Sequence, residues 1–382
     1  MRGIKFAAMG AVLALGLAAC SGDGAGSSSD DGASSDGGGG GQLVGVAMPT
    51  QTSERWIADG NAVKAGLEEA GYDVDLQYGN DDIPTQQQQI DQMINKDVDL
   101  LIVASIDGTA LTNQLQAAAD KDIPVIAYDR LIRDSENVDF YVTFDNENVG
   151  IQQATSLLVG LGILNEDGSE GDATGPFNIE VFAGSLDDNN AHFFFKGAMD
   201  TLQPYIEDGT IVIKSGQNTI EQAATLRWSQ ETAQKRMEDI LTSTYGGGSE
   251  QLDGVLSPFD GISRGIITAL QNAGYGTTIA DGLPVVTGQD AEIASIKLIA
   301  DGTQFASIFK DTRKLADQAI VSAGSILEGE EPEANDTESY DNGVKIVPSF
   351  LLESDIVYTD NITELLVDSG YWTAEQVESG QA

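Results

Sequence analysis

The chain holds one cysteine and one histidine. A disulfide within the chain is therefore excluded, and so is a zinc site built from Cys or His clusters. Any Ser–His chemistry would have His192 as its single candidate base. Basic residues are scarce too: 19 Lys and Arg stand against 61 Asp and Glu, for a formal net charge of −42. That balance excludes phosphate-backbone binding, which needs Lys and Arg clusters, so nucleic acid is no partner. It equally excludes adhesion to anionic lipid by surface charge. The acidity reads as a solvated, self-repelling surface. Beyond residue 20 no apolar run approaches the roughly 20 residues of a spanning helix. What remains is a 382-residue chain of ordinary apolar content, long enough for two domains with cores of their own.

The first forty residues read as an address. Arg2 and Lys5 form a positive start, and Phe6–Ala19 is an unbroken run of apolar and small residues, the length of a signal-peptide core. It ends LAAC at 17–20, which resembles the lipobox of bacterial lipoproteins, where the cysteine is lipidated and becomes the new N-terminus. The chain's one cysteine, Cys20, occupies the position that motif requires. Residues 1–19 are thus expected to be a lipoprotein signal peptide. Residues 20–42, rich in Gly, Ser and Asp, bury too little to offset their ordering entropy and read as a flexible tether.

From Leu43 short apolar runs alternate with helix-length ones. LVGVAM (43–48), YDVDLQY (72–78), DLLIVASI (99–106) and IPVIAYD (123–129) read as strands. Residues 54–70, 83–96 and 109–121 between them read as helices, the second opened by Asp81, Asp82 and Pro84. The glutamine run 86–89 on that helix reads as a solvated face. FYVTFDNENVG (140–150) ends a strand and starts a helix, and a second series of the same make follows. The alternation predicts an α/β fold with parallel sheets.

Open parallel sheets bind ligands beyond the carboxyl ends of their strands. Arg55 and Trp56 follow the first strand, and Asp129 and Arg130 the fourth. In the second half come Asp188 and Asn190, a loop running to Trp228, then Phe259 and Asp260, Asp290, and Lys310. Carboxylates, amides and cations beside aromatic faces suit a polyhydroxylated ring. Each hydroxyl both donates and accepts, and an aromatic face stacks on the ring's C–H side. Each residue also has a plainer reading. Asp129 could be a helix N-cap, Asp145 and Asn146 a cap and hinge, and Trp372 and His192 packing or surface residues.

At these residues the sequence resembles the type I periplasmic sugar-binding proteins of ABC importers, and especially their xylose- and multiple-monosaccharide-binding branch. The carrying stretches are ERWIADGN, ASIDGT, VIAYDRLIRD, TFDNENVG, DDNNA, LSPFDGIS, GQDAE and IFKDTR, in that order. The resemblance implies two doubly wound parallel-sheet lobes joined by a three-segment hinge, closing over one monosaccharide. By the family pattern the chain crosses near 145–146, just after Lys310 and near Asn342. One lobe is then 43–145 plus 311–342, the other 146–310 plus 343–382. The implied sugar-binding residues are Arg55, Trp56, Asp129, Arg130, Asp188, Asn190, Trp228, Asp260, Asp290 and Lys310; the loop before Trp228 is longer than in the xylose binders. Where those binders read SND this chain reads PFD. Phe259 therefore favours the multiple-sugar branch and a broader aldopyranose site.

The resemblance further implies a monomer without cofactor or metal. It would be anchored outside the bacterial cell membrane through Cys20 and deliver its sugar to ABC permease subunits. A second role, presenting bound sugar to a membrane sensor, occurs in that branch. A repressor-type effector core shares the fold but would need a DNA-binding segment ahead of it. A glycosidase would need a carboxyl pair set as acid and base, whereas these carboxylates are matched by Arg and Lys. No enzyme is expected.

Overall fold

The computed structural model describes residues 41–382. The expected signal peptide, Cys20 and nearly all of the tether lie outside the described residues. The chain runs β1 (Leu43–Met48), α1 (Glu54–Glu69), β2 (Asp73–Tyr78), α2 (Ile83–Asn95), β3 (Leu100–Val103), α3 (Thr112–Ala119), β4 (Val125–Tyr128) and β5 (Phe140–Phe144). It continues through α4 (Asn146–Gly160), β6 (Phe177–Val181), α5 (Asn189–Glu207), β7 (Ile211–Ile213), α6 (Ile220–Ala223), α7 (Gln230–Thr244), β8 (Gly254–Leu256) and α8 (Asp260–Asn272). Then come β9 (Val285–Val286), α9 (Ile293–Ala300), β10 (Ser307–Phe309), α10 (Thr312–Leu327), β11 (Ser349–Leu352), β12 (Asp355–Val357) and α11 (Ala374–Ser379).

The first sheet has six parallel strands in the order β11-β5-β4-β3-β1-β2. Helices cover both its faces, so its inner strands β3 and β4 are apolar throughout, while the edge strand β2 alternates. Val44, Val46 and Met48 of β1 face one core with Leu100 and Ile102, while Ala47, Leu101 and Val103 face the other. Each such aliphatic side chain taken out of water contributes about 1.5–3 kcal/mol. The second sheet, β7-β6-β8-β9, is also parallel. A bridge from Gln289 to Ile308 extends it to the antiparallel pair β10-β12.

The chain passes between these sheets at Asp145, between β5 and α4; at Lys310–Asp311, between β10 and α10; and at Glu353–Ser354, between β11 and β12. The third passage differs from the one expected near Asn342. Residues 349–352 pair in parallel with Tyr141–Phe144, so the segment up to Leu352 completes the first sheet. It covers what would otherwise be the open edge of β5. Asn342 is instead buried within the first lobe, where its Nδ2 donates to the Ser135 carbonyl at 2.8 Å.

The glutamine run also departs from expectation. Gln86 is buried; its Nε2 donates to the Ala104 carbonyl and its Oε1 accepts from the Ile106 amide, both at 2.9 Å. It fastens the loop after β3, whose Ser105 carbonyl accepts from Arg130 Nη1 at 3.2 Å.

Candidate functional site

The carboxyl ends of both sheets open onto one cavity of about 410 Å³, lined from both lobes. On the first-lobe side Arg55, buried at the start of α1, organises the wall. Its Nε bonds Asp59 at 3.1 Å, and its Nη2 lies 2.8 Å from both oxygens of Asp129. Asp129 caps no helix. It sits at φ +61° in the left-handed region, held by its amide to the Val142 carbonyl at 2.8 Å. Its own carbonyl accepts from Tyr141 Oη, Thr143 Oγ1 and Asn190 Nδ2. Burial opposes ionisation of Asp129, but Arg55 and then Lys310 hold its carboxyl down to about 2. Asp59 lies behind Arg55 in full burial, which pushes its carboxyl up to about 7 against the pull of Arg55.

Across the cleft, Asp188 caps α5 by accepting from the Asn190 amide at 3.0 Å, and pairs with Arg130 Nε at 3.0 Å. Lys310 pairs with Asp290 at 3.0 Å and stands over the rings of Phe144 and Phe194 at 5.6 and 5.4 Å. Trp228 forms an aromatic wall with Phe194 and Phe259, both edge-on at 6.3 and 6.1 Å between centroids. Its Nε1 is buried without a protein acceptor. On the other side Trp56 packs against the guanidinia of Arg55 and Arg130, at 4.5 and 5.1 Å.

The lining is electrically balanced. Asp81, Asp129, Asp188, Asp290 and Glu292 face Arg55, Arg130, Arg227, Arg264 and Lys310. In a chain of net charge −42, five against five marks this cavity off from the acidic exterior. Such a cavity has no net attraction for an ion, yet it is dense in charged donors and acceptors, which bind hydroxyls more strongly than neutral groups do. Several contacts also clasp the lobes directly. Ser53 Oγ donates to Glu292 at 3.3 Å, the Gly108 amide to the Asp187 carbonyl at 3.1 Å, and Arg227 Nη1 to the Ile106 carbonyl at 3.3 Å. Among the described residues no helix is long and apolar enough to cross a membrane.

A doubly wound pair of sheets with a polar, aromatic-walled cavity between them is the architecture matched by the family model of the periplasmic binding protein domain, which covers residues 44–331. The chain belongs to this family. It is 51% identical over 335 residues to the multiple sugar-binding periplasmic receptor ChvE of Rhizobium radiobacter, covering 88% of this chain and 92% of that one. It is 50% identical to the multiple sugar-binding periplasmic protein SbpA of Azospirillum brasilense, covering 87% and 90%. Among solved structures, an ABC transporter solute-binding protein from Clostridium phytofermentans with bound β-D-glucose superposes with a TM-score of 0.81. That pair is 47% identical, covering 88% of this chain and 99% of the other.

In this periplasmic binding protein nine of the ten residues singled out from the sequence line the cavity: Arg55, Trp56, Asp129, Arg130, Asp188, Asn190, Trp228, Asp290 and Lys310. Asp260 does not. It is the first residue of α8 and 0% exposed, its carboxylate turned away from the cavity onto Gln304, Ser307 and the Glu292 amide. Its neighbour Phe259 lines the cavity instead. Asn190 is more clasp than free ligand. Its Oδ1 accepts from Asn146 Nδ2 and shares the one Tyr141 hydroxyl proton with the Asp129 carbonyl, and its Nδ2 donates to that carbonyl, so its amide ties α5 to the first lobe.

Sequence reasoning missed Arg264 and Glu292, paired at 2.6 Å on the cavity wall, and also Phe194 and Arg227. Arg264 stands in the first turns of α8, just beyond the carboxyl end of β8, a signal that was available. Phe194 is the middle of three phenylalanines, and nothing in the run distinguishes it. His192 is exposed, and Trp372 is a packing residue whose Nε1 donates to the Ala291 carbonyl at 2.9 Å.

Proposed function

We propose that this chain is an extracytoplasmic solute-binding protein that captures an aldopyranose in the interlobe cavity and delivers it to an ABC importer, held at the membrane by a lipid on Cys20. The observation that carries this reading is the balanced cavity itself: paired carboxylates and cations from both lobes, walled by Trp228, Phe194 and Phe259. The multiple sugar-binding relatives and the glucose-bound neighbour support it. A ring of hydroxyls contacting both lobes favours the closed form over the open one by its differential contacts. Phe259 in place of a polar side chain supports a site that tolerates several aldopyranoses.

Capture rather than hydrolysis fits the pairing of Asp129, Asp188, Asp290 and Glu292 with Arg55, Arg130, Lys310 and Arg264. Asp129, held ionised by Arg55 and Lys310, serves as an acceptor and is a poor proton donor. The test is thermal unfolding with a panel of aldopyranoses. A sugar at 100 times its dissociation constant stabilises the folded state by about 2.7 kcal/mol, a rise of several degrees in melting temperature. A rise with glucose, galactose, arabinose and xylose supports the broad site; no rise with any of them refutes the ligand class. Turnover of an aryl glycoside would refute capture without chemistry.

A further inference from the structure

The strongest feature left unused by the cavity's direct contacts lies just beneath it. Asp290 and Ala291 both sit in the left-handed region, at φ +88° and +48°, where residues with a Cβ are disfavoured. Three consecutive amides fix this turn. The Asp290 amide donates to the Ile308 carbonyl at 2.8 Å, the Ala291 amide to Ser307 Oγ at 3.0 Å, and the Glu292 amide to Asp260 Oδ2 at 2.9 Å. Ser307 Oγ in turn donates to the Asp260 carboxylate at 3.0 Å, which also accepts from Gln304 Nε2 at 2.9 Å.

The arrangement is built for that carboxylate. A Cβ on Gly288 would fall 2.2 Å from Asp260 Oδ1 and 2.3 Å from Gln304 Nε2, so only glycine lets the two meet. The turn delivers Asp290 to the cavity, and β10, which carries Ser307, runs directly into Lys310, the partner of Asp290. Releasing the turn would let it relax toward ordinary dihedrals and draw the Asp290 carboxylate away from Lys310.

We infer that Asp260 and Ser307 are positioning residues for ligand capture: the pair locks the strained 290–292 turn and so sets the Asp290–Lys310 pair against the ligand. This rests on the reading of the cavity as an aldopyranose site.

The test is a double-mutant cycle read by calorimetric titration of the full mature chain with D-glucose, with melting temperature recorded for each ligand-free variant. S307A weakens binding by roughly tenfold, one hydrogen bond's share carried through the turn. S307T, which keeps the hydroxyl, restores most of that. S307A added to D290N costs no more than about a further twofold, because the two act on one contact. D260N follows the same pattern; if it does not fold, the Ser307 arm decides alone. Unchanged affinity in S307A, or losses that multiply in the double variant, would reduce the pair to fold stability and overturn the inference. If the wild-type chain binds no aldopyranose, the reading of the cavity falls first and this inference with it. The two failures are therefore distinguishable by the wild-type titration.

Discussion

Replacing Gly184 by alanine gives a sharp test of the aromatic wall. An ideal Cβ there would lie 2.0 Å from Cη2 of Trp228, 2.3 Å from Cζ2 and 2.5 Å from Cζ3. The indole must retreat by about 1.4 Å to reach the 3.4 Å at which ordinary contact begins. Its backbone cannot follow easily. Arg227 and Trp228 both sit at φ +55°, held by the Arg227 amide on Ser185 Oγ at 2.8 Å and the Trp228 amide on Thr225 at 3.0 Å. Phe194 and Phe259 bound the ring edge-on, so the free direction is into the cavity.

In the ligand-free protein the ring can swing there at small cost. With sugar bound that space is taken, and the strain falls on the complex. Overpacking of this size costs about 1–3 kcal/mol, so the dissociation constant for D-glucose should rise roughly five- to hundredfold. The melting temperature of the free protein should move by far less than that energy would require. Calorimetry and thermal unfolding together measure both. A G184A variant that binds glucose as tightly as wild type, or that loses stability without losing affinity, would refute the placement of Trp228 as a wall of the ligand space.

Three further outcomes are expected. Asp59 is raised to about 7 by burial. Its contribution to stability is therefore complete below about pH 4, the unfolded value, and is lost as pH rises through 7. Urea unfolding should weaken over that interval, and D59N should flatten the slope; an unchanged slope rules Asp59 out as its source. N190A removes one partner each from the Asp129 carbonyl, Tyr141 Oη and Asn146 Nδ2; each keeps another, so the cost is about 0.5–1.5 kcal/mol per lost bond. Sugar release followed by stopped-flow fluorescence should accelerate at least fivefold, and release at the wild-type rate would contradict the clasp. R227A removes a partly buried pair with Asp187 and one bond to the Ile106 carbonyl. Release should quicken only a few-fold, less so at high salt; a loss beyond tenfold would place Arg227 on the ligand itself.

Much of this was legible in the sequence because strands buried on both faces read as unbroken apolar runs, and punctuation such as Asp82 with Pro84 marks helix starts. The carboxyl-end rule then placed most of the site without knowledge of side-chain direction. It failed where direction decides. In SPFD the helix begins at Asp260, so Phe259, extended at φ −164°, faces the cavity while Asp260 turns inward. Both residues were placed at the strand end from the sequence, but the pattern does not say which of two adjacent side chains turns to the cavity. β11 was misassigned because the segment after Asn342 fits either lobe by pattern, and only its pairing with β5 settles the matter. Gln86 looked like one of four equivalent glutamines, yet the loop after β3 needs a buried amide at that position alone. The left-handed turns at Asp129 and Asp290 are invisible in composition, since aspartate is common in every kind of loop.

The most direct measurement is a crystal structure of the protein grown with D-glucose. The sugar should lie between the lobes with Asp290 and Lys310 within hydrogen-bond distance of its hydroxyls, at least one first-lobe group of the Arg55–Asp129 or Arg130 set opposite, and a ring face against the Trp228 wall. A sugar bound outside this cavity, or one that leaves Asp290 and Lys310 uncontacted, would contradict the central claim.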